Sequence, residues 1–208
     1  NGVIGATTLA KAEERRCRQM KEAGFNSIRS AHHPMSKAML DACDKYGMLV
    51  MDELSDMWTK HKNPNDYALY FLEHVDAEVK SMVKKDYNHP SVVLYSAGNE
   101  IPDLGRPRGA QINRHICNLF HEMDPYRFTT NAINGMLATG AKMGLIMKDV
   151  MAEMEKMKAA QPEGKEEEGA SALNSMMAFM VGDAADAFAC HPLMTETIEE
   201  ASQAMDIT

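Results

Sequence analysis

The sequence holds a single tryptophan, four cysteines and no apolar run near the roughly 20 residues that a membrane-spanning helix needs. It also lacks a basic stripe: 22 Lys and Arg stand against 30 Asp and Glu, for a net charge of -8. Phosphate contacts require clustered Lys and Arg, so no nucleic-acid partner is expected, and no membrane partner either. Cys17, Cys43, Cys117 and Cys190 lie far apart with no CxxC pair. They read as reduced thiols acting as small apolar side chains, which points to a reducing, cytoplasmic setting. Residues 1–6 carry neither the basic nor the apolar segment of a signal peptide. Neither GxGxxG nor a P-loop occurs, which speaks against the nucleotide-binding form of an open α/β sheet. The 19 methionines read as filler in helix cores.

What is present is alternation. Helices are expected over 8–23, capped by Thr8 and stopped by Gly24, and over 36–46, capped by Ser36 and ended by Gly47. The first should turn Leu9, Ala12, Cys17 and Met20 inward. A third, over 66–86, carries Leu72, Val75, Val79, Met82 and Val83 at one-face spacing. A fourth carries Ile112, Ile116, Leu119, Phe120 and Met123 and ends at Asp124-Pro125. Strands are expected at 25–29, 48–51, 92–95 and from 128. Strands that alternate with helices imply an α/β fold with a parallel sheet, either open or closed into a barrel. From 135 to 205 the rhythm becomes irregular and helix-rich, with a charged loop near 161–170, possible helices at 173–181 and 198–205, and the opening of another strand at 206–208.

Sites in parallel α/β folds gather at the C-terminal ends of the strands. Each expected strand ends in polar residues: Arg29, His32 and His33; then Asp52, Glu53 and Asp56; then Asn99 and Glu100; then Asn131 and Asn134. Carboxylates, amides, an Arg and a His, without a Ser or Cys nucleophile motif, suit sugar hydrolysis. That reaction needs one carboxylic acid to protonate the leaving oxygen and a second carboxylate across the ring. Trp58 offers a flat face for a sugar ring; a partly buried loop aromatic is the equal alternative.

The run from Asn88 through His89-Pro90-Ser91-Val92-Val93-Leu94-Tyr95-Ser96-Ala97-Gly98-Asn99 to Glu100 resembles a signature of glycoside hydrolase family 2. The stretches 20–34 and 43–53 resemble two further motifs of that family, in the same order. The resemblance covers residues 1–134 and thins beyond. It implies a retaining β-glycosidase, β-galactosidase first and β-glucuronidase or β-mannosidase next, acting on β-linked glycosides. It makes Glu100 the general acid/base, Asn99 the amide on the sugar 2-hydroxyl, and His32 a sugar ligand. Arg29 would support the ionised nucleophile, and Asp52, Glu53 and Asn131 would line the site. No cofactor is expected, although Mg2+ or Na+ serves some family members.

The resemblance also implies a (β/α)8 TIM barrel, of which this chain would hold about strands 2 to 6, so that 1–208 is an incomplete catalytic domain. The nucleophilic glutamate of the family stands on the seventh strand and would lie outside this chain. Glu196 superficially resembles it, but its surroundings read as a helix. A partial barrel exposes sheet edges and an unclosed interior, so self-association of the chain is expected. An inactive polypeptide that binds carbohydrate weakly, and a metal-dependent α/β hydrolase, are the rival classes.

Overall fold

In the computed structural model, residues 8–160 and 183–208 are described. The expected charged loop near 161–170 and the helix at 173–181 lie outside the described residues. The elements run α1 (Ala10–Glu22), β1 (Ser27–Arg29), α2 (Lys37–Tyr46), β2 (Leu49–Glu53), α3 (Phe71–Asp86), β3 (Val92–Asn99), α4 (Pro107–Met123), β4 (Phe128–Ala132), α5 (Gly135–Ala138), α6 (Met143–Ala160), α7 (Asp183–Ala189) and α8 (Pro192–Ser202). The four strands form one parallel sheet in sequential order, β1-β2-β3-β4. Sequential parallel neighbours joined by helices are the repeating unit of a β/α barrel.

Local chemistry sets the boundaries. The Ser36 side chain accepts a hydrogen bond from Met39 N, and Gly47 closes α2 in the left-handed conformation with φ 66°. A side chain there would strain the backbone, which is why glycine ends this helix. At α1 the cap is Leu9, without a side-chain hydrogen bond, rather than Thr8. Leu9 and Ala12 are exposed; Cys17 is the buried contact and Met20 packs partly beneath. The expected helix over 66–86 is broken. Tyr67–Leu69 forms a 3-10 turn capped by the Asp66 side chain, and α3 starts at Phe71. The break shifts the helix face, so Phe71 is buried and Leu72 is half-exposed, where Leu72 had been expected inside.

The helices cover one face of the sheet. Val50, Val92, Tyr95 and Ala97 join Cys17, Leu40, Cys43, Val79, Ile116 and Phe120 in one hydrophobic core. Tyr95 stacks on Phe120 with ring centroids 4.8 Å apart. The opposite face, which a closed barrel would enclose, exposes Leu49, Val93 and Phe128. A second, smaller core of Ile146, Val150, Phe188 and Met194 joins α6, α7 and α8. Residues 206–207 run beside β4, with Asp206 N and Ile207 N both donating to Thr129 O, but they form no strand.

β3 carries two irregularities. Val50 and Met51 pair with Val92 and Leu94, and Ser96 and Asn99 pair with Thr130 and Ala132. Each time β3 advances one residue more than its neighbour, which makes a bulge. Side chains alternate along a regular strand, so Ser96 and Asn99, three apart, would face opposite sides. The second bulge brings both to the open face.

Candidate active site

The C-terminal ends of β1, β2 and β3 meet around Glu53. Its side chain is fully buried. Arg29 donates to it twice, Nε to Oε2 at 3.0 Å and Nη2 to Oε1 at 3.1 Å. Ser96 Oγ donates to Oε2 at 2.8 Å, and His32 Nδ1 stands 3.2 Å from Oε1. With its proton on Nδ1, His32 donates to Glu53 and leaves Nε2 free to meet a ligand. A buried carboxylate is stable only when its lone pairs are answered, and here both oxygens are. Glu53 is therefore an anchor for Arg29 and His32 rather than a free nucleophile.

Arg29 reaches onward to Asn99, where Nη2 donates to Oδ1 at 2.5 Å. Asn99 Nδ2 donates to Asp56 Oδ1 at 2.8 Å, and Lys62 Nζ donates to the same oxygen at 2.8 Å. Burial pushes the Asp56 carboxyl up, but the hydrogen bonds from Lys62 and Asn99 outweigh it and hold the group below the usual carboxylate range. A continuous chain of charge-assisted hydrogen bonds thus runs from Glu53 through Arg29 and Asn99 to Asp56 and Lys62.

Glu100 follows Asn99 at the end of β3. Its backbone has φ 48°, in the left-handed region that a residue with a side chain adopts only under constraint. Its N-H donates to Ala132 O at 2.7 Å, tying the turn to β4. The side chain is exposed, and Asn134 Nδ2 donates to Oε1 at 2.9 Å. Asn134 also caps α5 by accepting from Met136 N and Leu137 N, so its position is fixed.

The structure therefore brings Arg29, His32, Glu53, Asn99 and Glu100 to one end of the sheet. It does not bring Asp52, Asn131 or Trp58 to the open face. Asp52 is fully buried on the helix side, where it accepts from Ser30 Oγ (2.6 Å), Met35 N (2.7 Å) and Lys85 Nζ (3.0 Å). Asn131 is buried against α4 and donates to Asn113 Oδ1 at 3.2 Å. Strand alternation sends both the wrong way: Asp52 opposes Glu53, and Asn131 lies between Thr130 and Ala132, which face the open side. Trp58 has no exposed surface; it stacks on Phe71 and donates Nε1 to Ala97 O at 3.3 Å. A Cβ on Gly98 would stand 3.1 Å from Trp58 Nε1 and 2.7 Å from Ile101, so the glycine admits this close packing. Glu196 is exposed on α8 and makes no contact with the Glu53 network.

Ser96 and Lys62 belong to the network without having been singled out. Ser96 could be found only by knowing the bulge, and Lys62 lies in a loop with no regular spacing. Asp56 and Asn134 were visible as polar residues after strands, and the structure gives them partners. Among the described residues, no group of three or more His, Cys, Asp or Glu side chains is placed to hold a metal ion. No helix among them is long and apolar enough to cross a membrane.

Comparison with known proteins agrees with this architecture. A β-galactosidase of Bacteroides ovatus is 44% identical over 100 residues, covering 48% of this chain and 12% of the relative. A β-glucuronidase of Rattus norvegicus is 32% identical over 111 residues, covering 53% of this chain and 17% of the relative. The chain thus spans less than a fifth of the length of either. Among solved structures, a glycosyl hydrolase family 2 member from Bacteroides cellulosilyticus superposes with a TM-score of 0.63 at 42% identity, covering 64% of this chain and 17% of its own. Residues 10–169 match the model described as "Glycosyl hydrolases family 2, TIM barrel domain". The strand order, the open polar end and these matches together place the chain in glycoside hydrolase family 2, as part of its TIM-barrel domain.

Proposed function

We propose that this chain contributes the acid/base half of a retaining β-glycosidase site, with β-galactoside as the first substrate. The observation that carries the reading is Glu100: an exposed carboxyl on a constrained turn at a strand's C-terminal end, oriented by Asn134 and following Asn99. In the first step Glu100 gives its proton to the glycosidic oxygen as a nucleophilic glutamate from outside this chain attacks the anomeric carbon. Glu100 then takes a proton from water, which releases the sugar. Asn99, with one Nδ2 proton uncommitted, is placed to meet a sugar hydroxyl, and His32 offers Nε2. Arg29, fixed by Glu53, supplies positive charge that favours an ionised nucleophile.

Retaining chemistry needs the two carboxyl groups about 5–5.5 Å apart, so both halves of the barrel must be present. The 208-residue chain alone is therefore expected to be inactive. β-Glucuronide is the second substrate, favoured by the relatives that carry that name. The test is hydrolysis of nitrophenyl β-galactoside and β-glucuronide by the chain alone and by the chain joined to the strands that complete the barrel. Activity confined to the completed barrel, with retained anomeric configuration in the first product, supports the reading. Turnover by the chain alone, or an inverted product, contradicts it. The wide spacing of the four cysteines, with no CxxC pair, is the basis for proposing a reducing, cytoplasmic setting for the protein.

A further inference from the structure

The loop between β2 and α3 runs back over the end of β3 and is pinned along its length. Thr59 Oγ1 and Lys60 N both donate to the Asp103 carboxylate. Lys62 N and Asn63 N donate to Asp66 Oδ2 at 2.7 and 2.9 Å. These backbone donors, led by Asn63, hold the Asp66 carboxyl down at about 2. The loop thus presents Lys62 from a fixed base.

From there Lys62 Nζ makes two contacts of 2.8 Å, to Asp56 Oδ1 and to the backbone carbonyl of Asn99. Asn99 N in turn donates to Ser55 O at 3.0 Å. The Asn99 amide is then determined chemically. Arg29 only donates, so the atom facing it must be Oδ1, and a carboxylate only accepts, so the atom facing Asp56 must be Nδ2. A flipped amide would set donor against donor at Arg29 and acceptor against acceptor at Asp56. Lys62 shares Asp56 Oδ1 with Asn99, so it holds in place the carboxylate that makes this demand, as well as favouring its ionised form.

We propose that Lys62 is a positioning residue, which fixes the amide of Asn99 through Asp56 and the backbone from which Glu100 projects through the Asn99 carbonyl. The functional part of this proposal rests on the acid/base reading of Glu100. Lys62 itself touches no reacting atom; its side chain is largely buried behind Asn99.

The groups that face Asp56 are Lys62 from its own loop, Asn99 from β3 and His32 from the loop after β1, with Arg29 and Glu53 joined through Asn99. The experiment follows the Asn99 side-chain amide signals of the 15N-labelled 208-residue chain as pH is lowered. In the unaltered chain they should shift with an inflection below 3.8, as Asp56 titrates. In Lys62→Met the inflection should rise by about one pH unit, and Lys62→Arg should restore most of the difference. An unaltered chain whose Asn99 signals do not follow Asp56 overturns the proposal without any variant, as does Lys62→Met with an unchanged inflection. In the completed barrel, Lys62→Met should lower kcat about tenfold with KM within about twofold, since a misplaced proton donor costs rate rather than binding. Full kcat in Lys62→Met, where Glu100→Gln is inactive, overturns the positioning role. Full activity in Glu100→Gln overturns instead the reading beneath it.

Discussion

Asp52 and Glu53 are neighbours in the chain and face opposite sides of the sheet, Glu53 toward Arg29 and Asp52 toward Lys85. The division separates their roles. Asp52 holds the segment after β1 by accepting from Ser30 Oγ and Met35 N, and Glu53 holds Arg29 and His32, the side chains proposed to meet a ligand. Asp52→Ala should destabilise the chain by roughly 2–3 kcal/mol, because Ser30 Oγ and Met35 N lose a buried acceptor while Lys85 keeps Asp86. Urea unfolding measures this. A loss under about 1 kcal/mol would mean that water replaces the carboxylate without cost.

Asp86 should make stability fall as pH rises. Burial, together with the neighbouring Asp52 charge, raises its carboxyl from 3.8 to about 8, against the opposing pull of Lys85. Between those values the unfolded chain gives up a proton that the folded chain keeps, so folding is progressively disfavoured until pH passes the folded value. Asp86→Asn removes this dependence. The melting temperature of the unaltered chain should therefore fall relative to that of Asp86→Asn as pH climbs from about 5 to about 8. A difference constant over that range would show Asp86 ionised in the fold.

The cysteines should separate by exposure. Cys17, Cys43 and Cys117 are buried and Cys190 is exposed. Burial also raises the Cys17, Cys43 and Cys117 thiols, so little reactive thiolate forms. A thiol reagent at neutral pH should modify Cys190 at once and the other three only on unfolding, a difference that mass spectrometry reads directly. Rapid modification of Cys17 or Cys43 would show that α1 opens away from α2.

Self-association is expected of the chain, because Leu49, Val93 and Phe128 are exposed on the uncovered sheet face. Light scattering should give a mass above 23.1 kDa that rises with concentration. Replacing Leu49, Val93 and Phe128 together by polar residues should return the monomer. A monomeric unaltered chain at every working concentration contradicts this.

The helices and strands of the first half were legible because their punctuation is local. Ser36 and Gly47 bracket α2 by capping and left-handed backbone, and neither depends on distant contacts. The strand ends were legible as a polar rim, which located Arg29, His32, Asn99 and Glu100. What the sequence concealed was facing. Alternation alone allows at most one of Asp52 and Glu53 on the site face, and that signal was available. The bulges in β3 were not: nothing in Val92 to Asn99 announces the extra residues that turn Ser96 and Asn99 the same way. Trp58 misled because its burial comes from Phe71 and the close approach at Gly98, contacts made across the fold.

The central claim is that Glu100 supplies the proton to the leaving group, and leaving-group dependence tests it most directly. In the completed barrel, Glu100→Gln should be compared on a β-glycoside with a dinitrophenol leaving group, which departs without help, and on one with unsubstituted phenol, which needs protonation. The account predicts a loss of about 10²–10⁴-fold in kcat/KM on the phenyl glycoside and a far smaller loss on the dinitrophenyl glycoside. Equal losses on both, or no loss on either, would contradict it.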